Sequence, residues 1–474
     1  MLYLRLKEQY ELRGWEKLPY ALVNRRALSP AFMKRAEFDA LRLCSGRVDL
    51  DMGIIPAQQR RLALRFEQLG IVERCEPGAG IEPSQEYRLY PARYIRTAHW
   101  SVTGRCNYRC RHCYMSAPDA KLGELGHESV MEIVRQLGEC GVRSVTLTGG
   151  EPLVRRDFME IVDALLERGI VIPTIYSNGR LVTDALLDAL EARGIRPEFN
   201  MSYDGPGYHD WLRGVPGAEG YAEAAFLRCR DRGFPTGAEL CIFGANKGSL
   251  RESVRRLAGW GCRSLKVNPV GNVGAWKEGG YGQAIDMREL FGLYLDYIPQ
   301  YYEDGLPLTI QLGGFFSASP RRPEQYEIPL MRPCGEPESS CICGHARVVM
   351  YISAEGRALP CMALSGMELQ KEFPLITEQG LAKCLSDSRY MRFIDTRVSE
   401  YLERNTECAD CEYAHTCAGG CRASALESEP GALFGPDPYA CELFRGGWAP
   451  KIRAAAEAAI AKRKDQVQIK ENER

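Results

Sequence analysis

Residues 97–118 read TAHWSVTGRCNYRCRHCYMSAP, and this segment places Cys106, Cys110 and Cys113 in one short loop behind a strand-like run. The loop is otherwise polar and basic, a poor place for cysteines that merely fill a core, the usual home of free cysteine. Three thiolates at Cys-x3-Cys-x2-Cys spacing form a metal-binding set. On a [4Fe–4S] cube they leave one iron without a protein ligand, whereas four cysteines close the cluster, so the open iron can take a small molecule. His112 offers the competing reading, a zinc site of three cysteines and one histidine.

Working outward, the chain has 474 residues and a formal charge of −1, from 61 basic and 62 acidic side chains. At roughly 100–200 residues per domain, three domains are expected. The even charge excludes a polyanion-binding arm, so no nucleic-acid partner is expected. No run approaches the roughly 18 apolar residues of a spanning helix, and the N-terminus lacks the apolar centre of a signal peptide, which predicts a cytoplasmic protein with no membrane partner. Nineteen cysteines in a reducing compartment then point to metal or cluster ligation rather than disulfides.

Residues 1–90 pattern as a winged-helix-like unit: a strand in PYALVNRRAL (19–28), a helix in FDALRLCSGR (38–47), and a helix in QQRRLALRFEQLGIVE (58–73) that ends at Gly70 before another strand. Pro83 and Pro91 are read as flanking a linker. From 95 to 330, HWSVT, SVTLTGG, VIPTIYSNG, EFNMSYDG, TGAELCIFG and SLKVNPVG alternate with amphipathic helices. That is an α/β pattern, a parallel sheet or partial barrel with its chemistry at the carboxyl ends of the strands. Residues 331–448 hold ten of the nineteen cysteines and few periodic segments, so metal ligation is expected to replace a large apolar core. The tail from 449, KIRAAAEAAIAKRKDQ, reads as a solvated, fraying helix.

The loop CNYRCRHCY resembles the signature of the radical S-adenosylmethionine (SAM) enzymes, with His112 before Cys113 and Tyr114 after it. The resemblance implies a partial (β/α)6 TIM-like barrel whose open iron chelates SAM and cleaves it to a 5′-deoxyadenosyl radical, with an external flavodoxin- or ferredoxin-type electron donor. It also implies roles for later motifs. Gly149, Gly150, Glu151 and Pro152 end a strand in TLTGGEPLVR, where glycines allow close approach of a ligand and a carboxylate can accept from its ammonium. In MSYDGPGYHDWLRG, Ser202 and Arg213 would bind the SAM carboxylate, a task for which the planar guanidinium is suited. Asn178 in YSNG and the turn NPVGNVG (268–274) would line the adenosine pocket.

Farther on, CGHARVVMYISAEGRALPC (343–361) and CADCEYAHTCAGGC (408–421), with Cys441 trailing, are spaced too regularly for chance. Structural zinc would fit the spacing alone. The pattern resembles the SPASM domain, an auxiliary-cluster extension of radical SAM enzymes, which brings the implied total to three [4Fe–4S] clusters. One auxiliary set would be Cys343, Cys361 and Cys421 with an upstream cysteine, either Cys334 or Cys341. The other would be Cys408, Cys411, Cys417 and Cys441. Cys44, Cys75, Cys140, Cys229, Cys241, Cys262 and Cys384 are left as packing residues.

The N-terminal unit resembles precursor-recognition domains of ribosomal-peptide maturases, in which a leader peptide adds a strand to a sheet edge. The resulting expectation is a peptide maturase installing an oxidative cross-link, a thioether first and a carbon–carbon bond next. A formylglycine-generating, sulfatase-maturating type and an iron–sulfur DNA-binding redox regulator are the alternatives. No side chain stands out as a catalytic acid or base.

Overall fold

The structure, a computed structural model, describes residues 1–472 except 26, 28, 29, 116, 118–120, 283, 333–337, 430 and 432, with the main chain alone beyond 465. Cys334 therefore lies outside the described residues.

The first unit contains β1 (Leu4–Leu6), β2 (Tyr10–Glu16), β3 (Leu18–Asn24), β4 (Ala31–Phe32), α1 (Arg35–Leu43), α2 (Ala57–Gln68), β5 (Val72–Arg74) and β6 (Arg88–Arg93). β1 pairs with β5, and a four-stranded sheet runs β4-β3-β2-β6. Phe38, Leu41, Ala63 and Phe66 bury one face of each helix against Leu4, Leu6, Leu12 and Leu22, the apolar stripe that a 3.6-residue period requires. Gly70 follows α2 at φ +70°, a left-handed stop that glycine adopts without Cβ strain. The stretch expected as a linker between Pro83 and Pro91 is a 3-10 turn, Pro83–Gln85, running into strand β6, which lies parallel to β2. Its Pro91 is tolerated because β6 lies at the edge of the sheet.

The six predicted barrel strands are present and parallel in sequence order: β7 (Thr97–Ser101), β8 (Val145–Thr148), β9 (Thr174–Ser177), β10 (Glu198–Ser202), β11 (Thr236–Ile242) and β12 (Ser264–Pro269). β13 (Thr309–Leu312) adds a seventh parallel strand, and β14 (Phe316–Ala318) and β15 (Tyr326–Glu327) continue antiparallel. Alternation sets the faces. Ala98 and Trp100 are fully buried in the main core while His99 between them is not. Helices α3 (His127–Glu139), α4 (Phe158–Glu167), α5 (Asp184–Ala192), α6 (His209–Arg213), α7 (Ala218–Asp231), α8 (Leu250–Gly259), α9 (Gly274–Glu278) and α10 (Met287–Glu303) fall between or after these strands.

The cysteine-rich segment is less separate than its composition implied. Its strand β16 (Val349–Ile352) pairs in parallel with β7, and β17 (Ala358–Leu359) follows, so one open eleven-stranded sheet spans both regions. Met350, Tyr351, Ile352, Phe373, Tyr390 and Phe444 belong to the same apolar core as the barrel. The tail differs from expectation too. The helix Trp448–Asn472 buries Ile452 and Ala456 in that core, because its alanines let it approach closely.

Candidate functional site

The cysteine loop leaves the carboxyl end of β7 and is seated by backbone contacts. The Gly150 N–H donates to Thr103 O at 2.9 Å and the Glu151 N–H to Arg105 O at 2.8 Å. A Cβ on Gly149 would stand 2.5 Å from Thr103 O, and one on Gly150 2.2 Å from Arg105 O and 3.1 Å from the Cys106 Cβ. These glycines, expected to admit a ligand, admit the loop itself. Arg155, just past the same motif, is buried and donates to Val102 O at 2.8 Å and Leu125 O at 2.9 Å while pairing with Asp157 at 2.7 Å. On the far side, the Ala275 N–H of α9 reaches Cys113 O at 3.0 Å, so the turn at 268–274 leads onto the loop.

Glu151 was expected to meet a ligand ammonium. Its carboxylate is fully buried and accepts from the Ser177 hydroxyl at 3.1 Å, the Asn178 N–H at 2.7 Å and the Leu153 N–H at 3.2 Å. Burial pushes its pKa up to about 7 against those donors. It ties the ends of β8 and β9 together. Pro152 beside it opens a short 3-10 turn. Asn178 joins the loop directly, its Nδ2 lying 2.7 Å from Asn107 Oδ1 and 4.0 Å from Cys106 Sγ.

Arg213, at the end of α6, reaches the loop from the other side with Nη1 4.0 Å from Cys110 Sγ. Its Nε and Nη2 grip Asp204, a residue without a role in the sequence reading, at 2.7 and 3.0 Å. Asp204 is fully buried and also accepts from the Cys241 N–H at 3.0 Å, with His209 Nδ1 at 3.0 Å. Burial would raise the Asp204 pKa, but Arg213 overrides it and holds the carboxyl far below its usual range. Ser202 stands half-buried at the end of β10, two residues before Asp204.

Burial raises Cys106 to about 12 and, against Arg213, Cys110 to about 11. The Tyr108 N–H points at Cys106 Sγ from 3.4 Å. A single zinc with Zn–S bonds of about 2.3 Å draws its thiolates to within roughly 4 Å of one another. Among the described residues, no three cysteine sulfurs lie within 4.8 Å of one another, and His112 groups with Asp204 and Cys241 instead of the loop thiols. Sulfurs held apart, with N–H donors and a cation beside them, suit a cube that places one iron behind each.

In the C-terminal array, Cys361 has Cys421 and Cys343 as electrostatic neighbours, whereas Cys408, Cys411, Cys417 and Cys441 line one pocket together with Asp437. Cys341 sits across an isolated bridge from Arg397, and Arg332 donates to its carbonyl at 2.9 Å. Asp437 accepts from the Cys421 N–H at 2.8 Å and so touches both groups. Tyr401, Asn405 and Asp437 escaped the sequence reading, since nothing in their spacing marks them.

Residues 100–257 match the radical SAM superfamily and residues 343–412 the SPASM iron–sulfur cluster-binding domain. The AdoMet-dependent heme synthase of Methanosarcina barkeri is 24% identical over 357 residues, covering 72% of this chain and 97% of that protein. The PqqA peptide cyclase of Granulibacter bethesdensis is 26% identical over 365 residues, covering 74% and 91%. Among solved structures, Streptococcus suis SuiB bound to S-adenosylmethionine superposes with a TM-score of 0.60 at 16% identity, covering 92% of this chain and 99% of that one. The anSMEcpe enzyme with bound AdoMet and a Cp18Cys peptide gives 0.57 at 17% identity, covering 78% and 99%. These two structures share the fold.

Proposed function

Since the chain carries a radical SAM domain followed by a SPASM domain, we propose that it matures a ribosomally made peptide by installing an oxidative cross-link, a thioether first and a carbon–carbon bond next. The observation that carries this reading is the N-terminal unit. The SuiB superposition covers 92% of the chain, too much to omit the first 90 residues, and a structure of SuiB bound to its precursor peptide SuiA superposes as well, with a TM-score of 0.60. Among the described residues β4 pairs with β3 alone, and both its residues are exposed. That edge offers main-chain groups to a leader peptide.

Cys106, Cys110 and Cys113 would hold the SAM-binding cluster, and the two C-terminal groups the auxiliary clusters. When bound, the open-cornered cluster would supply reductive cleavage of SAM to a 5′-deoxyadenosyl radical, its electron coming from a flavodoxin- or ferredoxin-type donor. The protein's part is positional. Gly149, Gly150 and Arg155 seat the loop, Glu151 locks two strand ends under it, and Asp204 aims Arg213 at the loop and at a ligand carboxylate beside it. Ser202 and Asn178 stand at neighbouring strand ends, where SAM would lie.

The match along nearly all of a heme synthase favours a second reading, an AdoMet-dependent step of heme synthesis. The experiment is anaerobic reconstitution with iron and sulfide, then SAM, reductant and a candidate precursor peptide, beside a Cys106/Cys110/Cys113→Ala variant. Wild type alone should form 5′-deoxyadenosine, and the peptide should lose two hydrogens only when its leader is attached. Deoxyadenosine with the peptide untouched, and heme formed when a porphyrin precursor is supplied in its place, would replace this reading with the second.

A further inference from the structure

Tyr401 is fully buried, and its hydroxyl lies 3.1 Å from Cys408 Sγ. Asn405 Nδ2 donates to the Tyr401 oxygen at 3.2 Å, and the Asn405 side-chain oxygen accepts from the Cys408 N–H at 2.9 Å. The hydroxyl's one proton then has two possible acceptors, the Cys408 sulfur and Gly435 O at 3.2 Å. Arg422 already donates to Gly435 O at 2.6 Å. A thiolate can only accept, so once Cys408 is a cluster ligand the Tyr401 proton goes to its sulfur. Space is reserved for this contact: a Cβ on Gly419 would stand 2.4 Å from the Tyr401 ring. The Arg422 guanidinium stacks 4.7 Å from the ring centre.

We propose that Tyr401 is a positioning residue for the second auxiliary cluster, donating a hydrogen bond to the Cys408 thiolate and, with Arg422 behind it, making that cluster easier to reduce than it would otherwise be. The inference rests on reading Cys408, Cys411, Cys417 and Cys441 as a cluster set. The physical reason is charge. Reduction adds an electron to an anionic cluster, and a hydrogen bond to its sulfur, with a buried cation nearby, stabilises the more negative state.

The test uses reconstituted full-length protein and EPR-monitored reduction at controlled potential. Cys408→Ser identifies which signal belongs to the second auxiliary cluster. In Tyr401→Phe with full iron content, that signal should appear at a more negative potential while the other two stay put. Asn405→Ala, which leaves the tyrosine in place, should shift it the same way by less. Wild-type potentials in an iron-replete Tyr401→Phe, or an equal shift of all clusters, would overturn the proposal. If Tyr401→Phe sheds iron, Asn405→Ala decides, and an unshifted potential there overturns it. A wild type without auxiliary signals, or a Cys408→Ser variant that keeps them all, overturns the cluster reading of the array and the proposal with it.

Discussion

Asp204→Asn removes one negative charge from a fully buried site and leaves Arg213 facing a neutral amide. The wild-type carboxylate takes two guanidinium bonds, at 2.7 and 3.0 Å, and the Cys241 N–H at 3.0 Å. Asparagine keeps the shape but turns an N–H₂ toward a donor. Breaking one side of a buried pair costs about 3–5 kcal/mol, because the remaining charge is uncompensated. The assay is urea unfolding of the cluster-free protein, read by tryptophan fluorescence, for Asp204→Asn, Arg213→Met and the double variant. If the cost is an orphaned cation, the double variant should recover most of it, giving a coupling energy of several kcal/mol. The single variant should also bind SAM poorly after reconstitution, since Arg213 is no longer aimed. A cost below about 1 kcal/mol, the range of an exposed pair, or a double variant no more stable than Asp204→Asn, would refute this account of the site.

Gly150→Ala should displace the cysteine loop. Its Cβ meets Arg105 O at 2.2 Å, and losing the two backbone bonds that seat the loop costs about 2–3 kcal/mol, so iron bound at that loop should fall, as measured against a Gly53→Ala control, where nothing lies within 4 Å. Asp304 is held at about 2, below the ordinary 3.8, first by hydrogen bonds from Arg251 and then by Arg255. This stabilisation is present above pH 4 and lost as pH falls from about 4 to 2. It amounts to about 1 kcal/mol after discounting for the partly exposed arginines. Asp304→Asn should flatten that part of an acid-unfolding curve and shift little at pH 7 beyond the same amount. Cys411→Ser should lower iron per chain by about one cube while the SAM-cleaving cluster stays active, and equal loss at all sites would contradict separate cysteine sets.

The sequence disclosed what local spacing encodes. Three cysteines on one loop, the order of the six strands and the two C-terminal cysteine groups are short-range patterns, and the strands stand in the predicted order. Contacts set by the third dimension were illegible. That the end of β9 supplies donors to Glu151 cannot be read from its motif. Asp204 is only one residue of a turn until α6 folds Arg213 back onto it. Pro91 suggested a linker because an edge strand tolerates proline without advertising itself. The cysteine-rich segment seemed short of core because its apolar residues join a core that others build. Tyr401 sits seven residues before Cys408, and only the chain path through Asn405, bonded to both, brings its hydroxyl to the sulfur.

The pairing of β7 with β16 has a consequence for how the chain is made. His99 finds its partner Tyr351 roughly 250 residues later, so at translation rates of about 5–20 residues per second the first barrel strand waits some 10–50 s beyond its own synthesis. For that interval the strand leading into the cysteine loop has a bare edge, a template for pairing with other chains. Synthesis of the cysteine loop and of the strand that completes this edge are thus separated in time on the ribosome. A nascent chain stalled before residue 349 would be the species most in need of a chaperone.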